Sequence, residues 1–160
     1  MQWVALIAIT IAALDQATKW LVVRSISPEE SRTVINGFFS LVNWRNTGAA
    51  WGVFQHYNFL LTAISLLTVL ALCFFRRSFR LNHAGPRLAL GLIIGGILGN
   101  LIDRLRVGSV IDFLLFYIGQ YRWPAFNLAD SAICIGVGLY VILSWRSDSE
   151  AQKTHAVISS

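Results

Sequence analysis

The fold of this chain is decided by residues 88–103, which read LALGLIIGGILGNLID. The first fifteen of these residues carry no charge, and they include four glycines at close, helix-like spacing. A run this apolar is typical of a helix inside a membrane, and small residues at this spacing are typical of a face on which other helices pack closely. The stretch ends at Asn100 and Asp103, so we predict a packed membrane helix with polar side chains at one end.

Composition extends this prediction to the whole chain of 160 residues, of which 56% are hydrophobic and 13% charged, with a mean hydropathy of +0.61. A soluble domain carries about a quarter charged residues, so the sequence indicates one integral membrane unit. The net charge is +5, but the basic residues are scattered and form no stripe of the kind that binds nucleic acid. Cys73 and Cys134 lie in apolar runs without metal-ligand spacing, so we expect no metal and no cofactor.

Three further segments are long and apolar enough to cross a bilayer, which gives a mainly α integral membrane fold of four transmembrane helices within a single domain, residues 1–146. Between the first two spans lies a polar stretch with a turn-like Asn36-Gly37 and a strand-like continuation, which predicts a small β-containing surface domain. The predicted spans are residues 3–23, 57–75, 88–102 and 126–145; the β-like insertion is 24–56, the second loop is 103–124, and 147–160 is a frayed polar tail.

Arginine density predicts the orientation of these spans. Cytoplasmic loops are richer in Lys and Arg than loops on the opposite side. The short turn between spans two and three holds Arg76, Arg77, Arg80 and Arg87, so we place it in the cytoplasm together with both termini. The β-like insertion and the second loop then lie on the extracytoplasmic face.

Four of the five aspartates converge on that face. At about 1.5 Å of rise per residue, Asp15, Asp103 and Asp130 each lie roughly 20 to 24 Å from the opposite end of their helices. Asp112 lies in the loop on the same side. A carboxylate within a membrane costs free energy, so such groups normally face the protein interior, where they are paired or functional. We therefore predict one polar layer near one membrane surface.

Local charge partners divide these aspartates into two groups. Asp15 and Lys19 are four residues apart and can form a salt bridge, in a role that is structural or catalytic. Asp103 precedes Arg104, so we expect the two to pair. Asp112 and Asp130 have no cation nearby in the sequence. Two unpaired carboxylates held close together share one proton, so one can activate water while the other polarises a peptide carbonyl.

Two other types of function use the same residues. Lys19 with Ser40, Ser109 or Ser131 could form a Ser–Lys hydrolase site, although Asp15 would keep the lysine charged and therefore a poor base. A small four-span proton-coupled exporter would also need a membrane carboxylate. However, such proteins have short loops, and transporter sites lie near the bilayer midplane.

The polar residues also lie in recognisable motifs, which closely resemble those of the bacterial lipoprotein signal peptidase family, or signal peptidase II. The resemblance runs in order and with matching spacing from the first span to about Trp145. The motifs are the Asp15–Lys19 pair, Asn46-Thr47-Gly48-Ala49-Ala50-Trp51, the segment from Gly95 to Arg104, Val110-Ile111-Asp112-Phe113, and Phe126-Asn127-Leu128-Ala129-Asp130-Ser131.

This resemblance implies a multi-pass enzyme of the bacterial inner membrane with its active site near the periplasmic surface. Its substrate would be a prolipoprotein whose cysteine already carries a diacylglyceryl group, cut just before that cysteine. The enzyme would act in contact with membrane lipid and would not need to form an oligomer. Asp112 and Asp130 would be the catalytic dyad. The supporting or substrate-binding residues would be Asn46, Gly48, Asn100, Asp103, Arg104, Asn127 and Ala129, with Asp15 and Lys19 as a structural or orienting pair.

Overall fold

Four long helices form the body of the molecule in a computed structural model that describes residues 1–48, 53–79 and 81–158. They are α1 (Gln2–Ser25), α2 (Asn58–Phe74, continued by a 3₁₀ turn at Phe75–Phe79), α3 (Ala84–Val107) and α4 (Leu128–Ile158). Each contains a segment long and apolar enough to cross a membrane. The prediction of four transmembrane helices is therefore confirmed.

Helix α3 is the centre of the bundle, because it packs against α1, α2 and α4. Its glycines allow that close approach. A Cβ atom at Gly95 would lie 2.7 Å from the Ala8 carbonyl oxygen of α1, and one at Gly96 would lie against the Ala129 carbonyl oxygen of α4. The predicted packing face is thus confirmed on both sides of α3. Helix α2, by contrast, is packed less deeply and has one buried residue, Leu61.

A four-stranded antiparallel sheet lies at one end of the helices, with strand order β1-β2-β3-β4. The predicted β structure in the first insertion is confirmed by two strands joined through Asn36-Gly37, where Gly37 has a φ of 77°, the left-handed region that suits glycine. The strands are β1 (Ser31–Ile35), β2 (Phe39–Asn46), β3 (Val110–Ile118) and β4 (Tyr121–Arg122).

Several predicted boundaries are wrong, and for one physical reason. Helix α3 extends beyond 88–102 to Val107, where Gly108 adopts a left-handed φ of 73° and ends it. Asp103 and Arg104 therefore lie in a helix, and the predicted loop 103–124 contains strand β3. The tail expected to fray continues α4 to Ile158. Hydropathy marks where a helix leaves the apolar layer, whereas backbone hydrogen bonding continues until a capping residue stops it.

Candidate active site

Part of the predicted polar layer lines a cavity of about 940 Å³ next to the sheet. Its walls come from the end of β2, the last turns of α3, strand β3 and the first turns of α4. Asp112 and Asp130 both line it, so the structure brings together the two carboxylates that have no cation nearby in the sequence. Other lining residues are Asn46, Gly48, Gln55, Asn100, Arg104, Phe126, Ser131 and Cys134.

Strand pairing holds Asp112 in place. Trp44 of β2 is its partner across the sheet, and Asn46, two residues further along β2, reaches the same carboxylate. The Asn46 Nδ2 donates to Asp112 Oδ2 at 2.9 Å, and the Asn127 Nδ2 donates to Asp112 Oδ1 at 2.8 Å. The side chain is buried, with 3% of the residue exposed. Both of its oxygens therefore have a neutral donor and neither has a cation.

Asp130 is held by the first turn of α4. The Asp130 backbone N–H donates to Asn127 Oδ1 at 3.0 Å, and the Asn127 backbone N–H donates to Asp130 Oδ2 at 3.1 Å. This reciprocal pair is a capping box, so the element that starts the helix also fixes the carboxylate. The other oxygen, Oδ1, accepts from Asn100 Nδ2 at 2.7 Å.

The environment of the two carboxylates gives Asp112 an unusual affinity for protons. Burial, followed by the negative charge of Asp130, raises the pKa of Asp112 from its usual 3.8 to about 7, against smaller lowering effects from the hydrogen bonds of Asn46 and Asn127 and from the charge of Lys19. Desolvation disfavours a buried charge, and a like charge adds to that effect. Near neutral pH this arrangement can hold a proton on Asp112 beside a second carboxylate.

Lys19 occupies the centre of a separate buried cluster on the α1 side of the cavity. Its Nζ lies 2.7 Å from Asp15 Oδ2, as the spacing of the pair predicts, and also 2.7 Å from Asp103 Oδ2. The expected pairing of Asp103 with Arg104 is therefore wrong. Consecutive residues on a helix point in different directions, so Asp103 faces α1 while Arg104 faces the cavity.

This cluster also argues against a Ser–Lys site. All three N–H groups of Lys19 have acceptors, namely the two carboxylates and Asn100 Oδ1 at 3.0 Å. Ser131 instead donates to the Asn127 carbonyl oxygen at 3.0 Å, and Ser40 bonds Tyr117. With all three donors of Lys19 taken up by other groups, it is not placed to activate either of these serines.

The three amides that touch Asp112 and Asp130 share one arrangement. In each, the amide oxygen accepts from a group that can only donate, so the NH₂ group is turned onto a carboxylate. The donors are the Gly48 backbone N–H for Asn46 at 2.9 Å, the Asp130 backbone N–H for Asn127, and the Lys19 ammonium for Asn100. An exchanged amide would place two donors against each other. The orientation of all three amides is therefore fixed.

The remaining predicted residues support this arrangement. Ala129 is fully buried, and its N–H donates to Asp15 Oδ1 at 2.9 Å, which joins α4 to α1. The Arg104 Nη2 donates to the Gly48 carbonyl oxygen at 3.4 Å, from helix α3 to the end of β2. Within the second motif, residues 49–51 lie outside the described part of the chain.

Sequence reasoning missed Gln16. Its Nε2 donates to Asp103 Oδ1 at 2.8 Å and to the Gly99 carbonyl oxygen at 3.1 Å, and so ties α1 to α3 beside the Lys19 cluster. In the sequence, the feature that could have identified Gln16 was its position between Asp15 and Lys19, one residue after a buried acid. Among the described residues, no three His, Cys, Asp or Glu side chains are placed to hold a metal ion together.

Known proteins share this chain's sequence and its fold. A family model described as signal peptidase (SPase) II matches residues 7–146. The lipoprotein signal peptidase of Syntrophotalea carbinolica is 44% identical over 144 residues, covering 88% of this chain and 89% of that protein. That of Oleidesulfovibrio alaskensis is 48% identical over 140 residues, covering 83% and 88%. A solved bacterial membrane enzyme, determined by the in meso method at 2.3 Å resolution, superposes with a TM-score of 0.83 at 33% identity, covering 94% of this chain and 92% of that one.

Proposed function

This chain belongs to the signal peptidase II family, and from that membership and the site geometry we propose that it is a membrane aspartic endopeptidase. It removes signal peptides from prolipoproteins that carry a diacylglyceryl group, and it cuts just before the lipidated cysteine. The observation that carries the proposal is the pairing of Asp112 and Asp130 in one cavity, with every carboxylate oxygen bound by a fixed N–H donor. Family membership gives no support to the exporter alternative.

In the first chemical step, one carboxylate acts as the base and the other as the acid. Asp130, ionised, removes a proton from a water molecule while the water oxygen attacks the scissile carbonyl carbon. Asp112 gives its proton to the carbonyl oxygen, which prevents a full negative charge from forming there. Asp112 is suited to hold that proton because its pKa is raised to about 7.

The second step reverses these transfers. The carbon–nitrogen bond breaks, the proton on Asp130 passes to the leaving amine, and the proton on the intermediate's hydroxyl returns to Asp112 as the carbonyl re-forms. The pair therefore ends in its starting protonation state. The hydrogen-bonded amides of Asn46, Asn100 and Asn127 stay in place throughout, so the site has little reorganisation to undergo as charge moves.

The cavity also suits a substrate that arrives from the bilayer. Ser131 and Cys134 of α4 line it, and Cys134 is exposed. In this proposal, the cavity opens to the lipid along this side of α4. A signal helix and its acyl chains, already in the membrane, can reach Asp112 and Asp130 along this side without leaving the lipid. The proposed setting is the bacterial inner membrane, with this layer at the periplasmic surface and both termini in the cytoplasm.

The test is cleavage of a lipidated prolipoprotein by the purified protein in detergent. We expect Asp112→Asn and Asp130→Asn each to abolish cleavage while the protein stays folded, because asparagine keeps the shape but cannot exchange the proton. The double variant is expected to be no worse than either single one, since the pair acts as a unit. Glu30→Gln, an exposed carboxylate on the surface, is the control. Near-normal turnover in either single dyad variant would refute the assignment.

A further inference from the structure

Lys19 lies beside the dyad but makes no hydrogen bond to either of its members. Its side chain is only 2% exposed, and its three donors go to Asp15, Asp103 and Asn100. Two carboxylates are enough to hold a buried ammonium group. The third bond, to Asn100 Oδ1 at 3.0 Å, is the one that leads from this cluster to the dyad.

The chemistry of that bond decides the orientation of Asn100. An ammonium group has donors and no acceptor, so only the oxygen of the amide can face it. The Asn127 Nδ2 also donates to the same oxygen at 3.1 Å. The Nδ2 of Asn100 is consequently turned to the opposite side, where it donates to Asp130 Oδ1 at 2.7 Å.

We propose that Lys19 is a positioning residue for the reaction: through Asn100 it keeps an N–H donor on Asp130, and so holds Asp130 as the ionised carboxylate that activates water while Asp112 carries the proton. This inference rests on the proposed dyad and deepens it by naming the residue that maintains its two protonation roles. A hydrogen-bond donor stabilises a carboxylate in its charged form. An amide turned the other way would place its oxygen against the carboxylate and destabilise that charged form.

The other charged groups around Lys19 do not replace this bond. Asp15 from α1 and Asp103 from α3 are its direct partners. Arg104, on α3, acts electrostatically on Asp112, Asp130 and Asp103, but its hydrogen bond goes to the Gly48 carbonyl oxygen. From β3 and α4, the groups that face the cluster are Asp112 and Asp130 themselves. Asn100 is thus the hydrogen-bonded connection from the lysine to Asp130.

The test uses a charge-balanced variant, Lys19→Met with Asp103→Asn, which removes the donor to Asn100 and leaves the net charge of the cluster unchanged. We expect a folded protein whose kcat is lower by roughly 10- to 100-fold, the effect of losing a hydrogen bond to a charged group. The acidic limb of its pH–rate profile, which reports ionisation of the base, is expected to move to higher pH.

Asp103→Asn alone is the matched control. It removes a negative charge and leaves Lys19 on Asn100, so the acidic limb is not expected to move to higher pH. Combining the double variant with Asn100→Leu is expected to lower kcat no further than Asn100→Leu does by itself, because both changes remove the same donor from Asp130. If the effects on kcat add, or if the double variant keeps the wild-type pH profile, Lys19 has only a structural role.

Two outcomes separate this inference from the proposed function. If the wild-type protein fails to cleave the lipidated prolipoprotein, the proposed function fails; if it cleaves and the pH profiles coincide, only the role of Lys19 fails. Should the double variant not fold, Asn100→Leu by itself removes the donor to Asp130 without adding a charge. The same upward movement of the acidic limb is then expected, and a wild-type profile in that variant overturns the inference.

Discussion

Replacing Asp112 by asparagine is expected to stabilise the protein increasingly as the pH rises, even though it abolishes the proposed activity. Asp112 has a pKa of about 7 in the folded protein, against its usual 3.8. A group with a raised folded pKa contributes stability at low pH, and that stability is lost as the pH rises between the two values. Asparagine, which does not ionise, has no such loss.

The magnitude follows from the two pKa values. Between about pH 4 and pH 7, each pH unit lowers the wild-type free energy of unfolding by roughly 1.4 kcal/mol relative to the variant. From pH 5 to pH 8 the advantage of Asp112→Asn should therefore grow by roughly 2 to 3 kcal/mol. The effect of the Asn46 and Asn127 hydrogen bonds on ionisation is already contained in the folded pKa of Asp112. What asparagine loses by not accepting them is independent of pH, so it cancels in this comparison.

Denaturant titration in detergent micelles, followed by tryptophan fluorescence at several pH values, measures this difference. Glu30→Gln is the control: Glu30 is fully exposed, and hydrogen bonds from Ser27 lower its pKa, so its variant should differ from wild type by a constant amount over the same range. A stability difference between Asp112→Asn and wild type that stays constant from pH 5 to pH 8 would refute a buried, proton-holding Asp112.

Three further predictions concern the surrounding structure. Asn46→Ala removes the donor to Asp112 Oδ2 and is expected to lower turnover roughly 10- to 100-fold with little loss of thermal stability. If activity falls only in proportion to lost stability, strand β2 has no role in the reaction beyond packing. Gly99→Ala would place a Cβ 2.6 Å from Asp15 Oδ2 and is expected to destabilise the protein by about 1–3 kcal/mol. Gly138→Ala is the control, because a Cβ there has nothing within 4 Å and should not destabilise the protein. Thermal unfolding of both variants measures the difference. Reporter fusions after Phe79 and after Tyr121 should report opposite sides of the membrane, and the same side for both would contradict four spans with this orientation.

The sequence by itself determined the number of spans and the end of the bundle at which the acids gather. Both are consequences of hydropathy and helix rise, which are local properties: an uncharged run of about 20 residues has few alternatives to a membrane helix. The glycines between residues 91 and 99 likewise predicted close helix packing, because a residue without a side chain lets the backbones of two helices approach each other closely. The salt bridge between Asp15 and Lys19 followed from a spacing of four on one helix.

Tertiary structure decided which groups meet across the chain. Asp103 pairs with Lys19 and not with its neighbour Arg104, because side-chain direction on a helix is set by rotation about its axis. Strand β3 pairs with β2 and β4, and the choice of these partners is made across the chain. Three of the four fixed donors on Asp112 and Asp130 come from residues 15 to 66 positions away in the sequence, and a hydrogen bond depends on distance and angle within fractions of an ångström, which folding alone supplies.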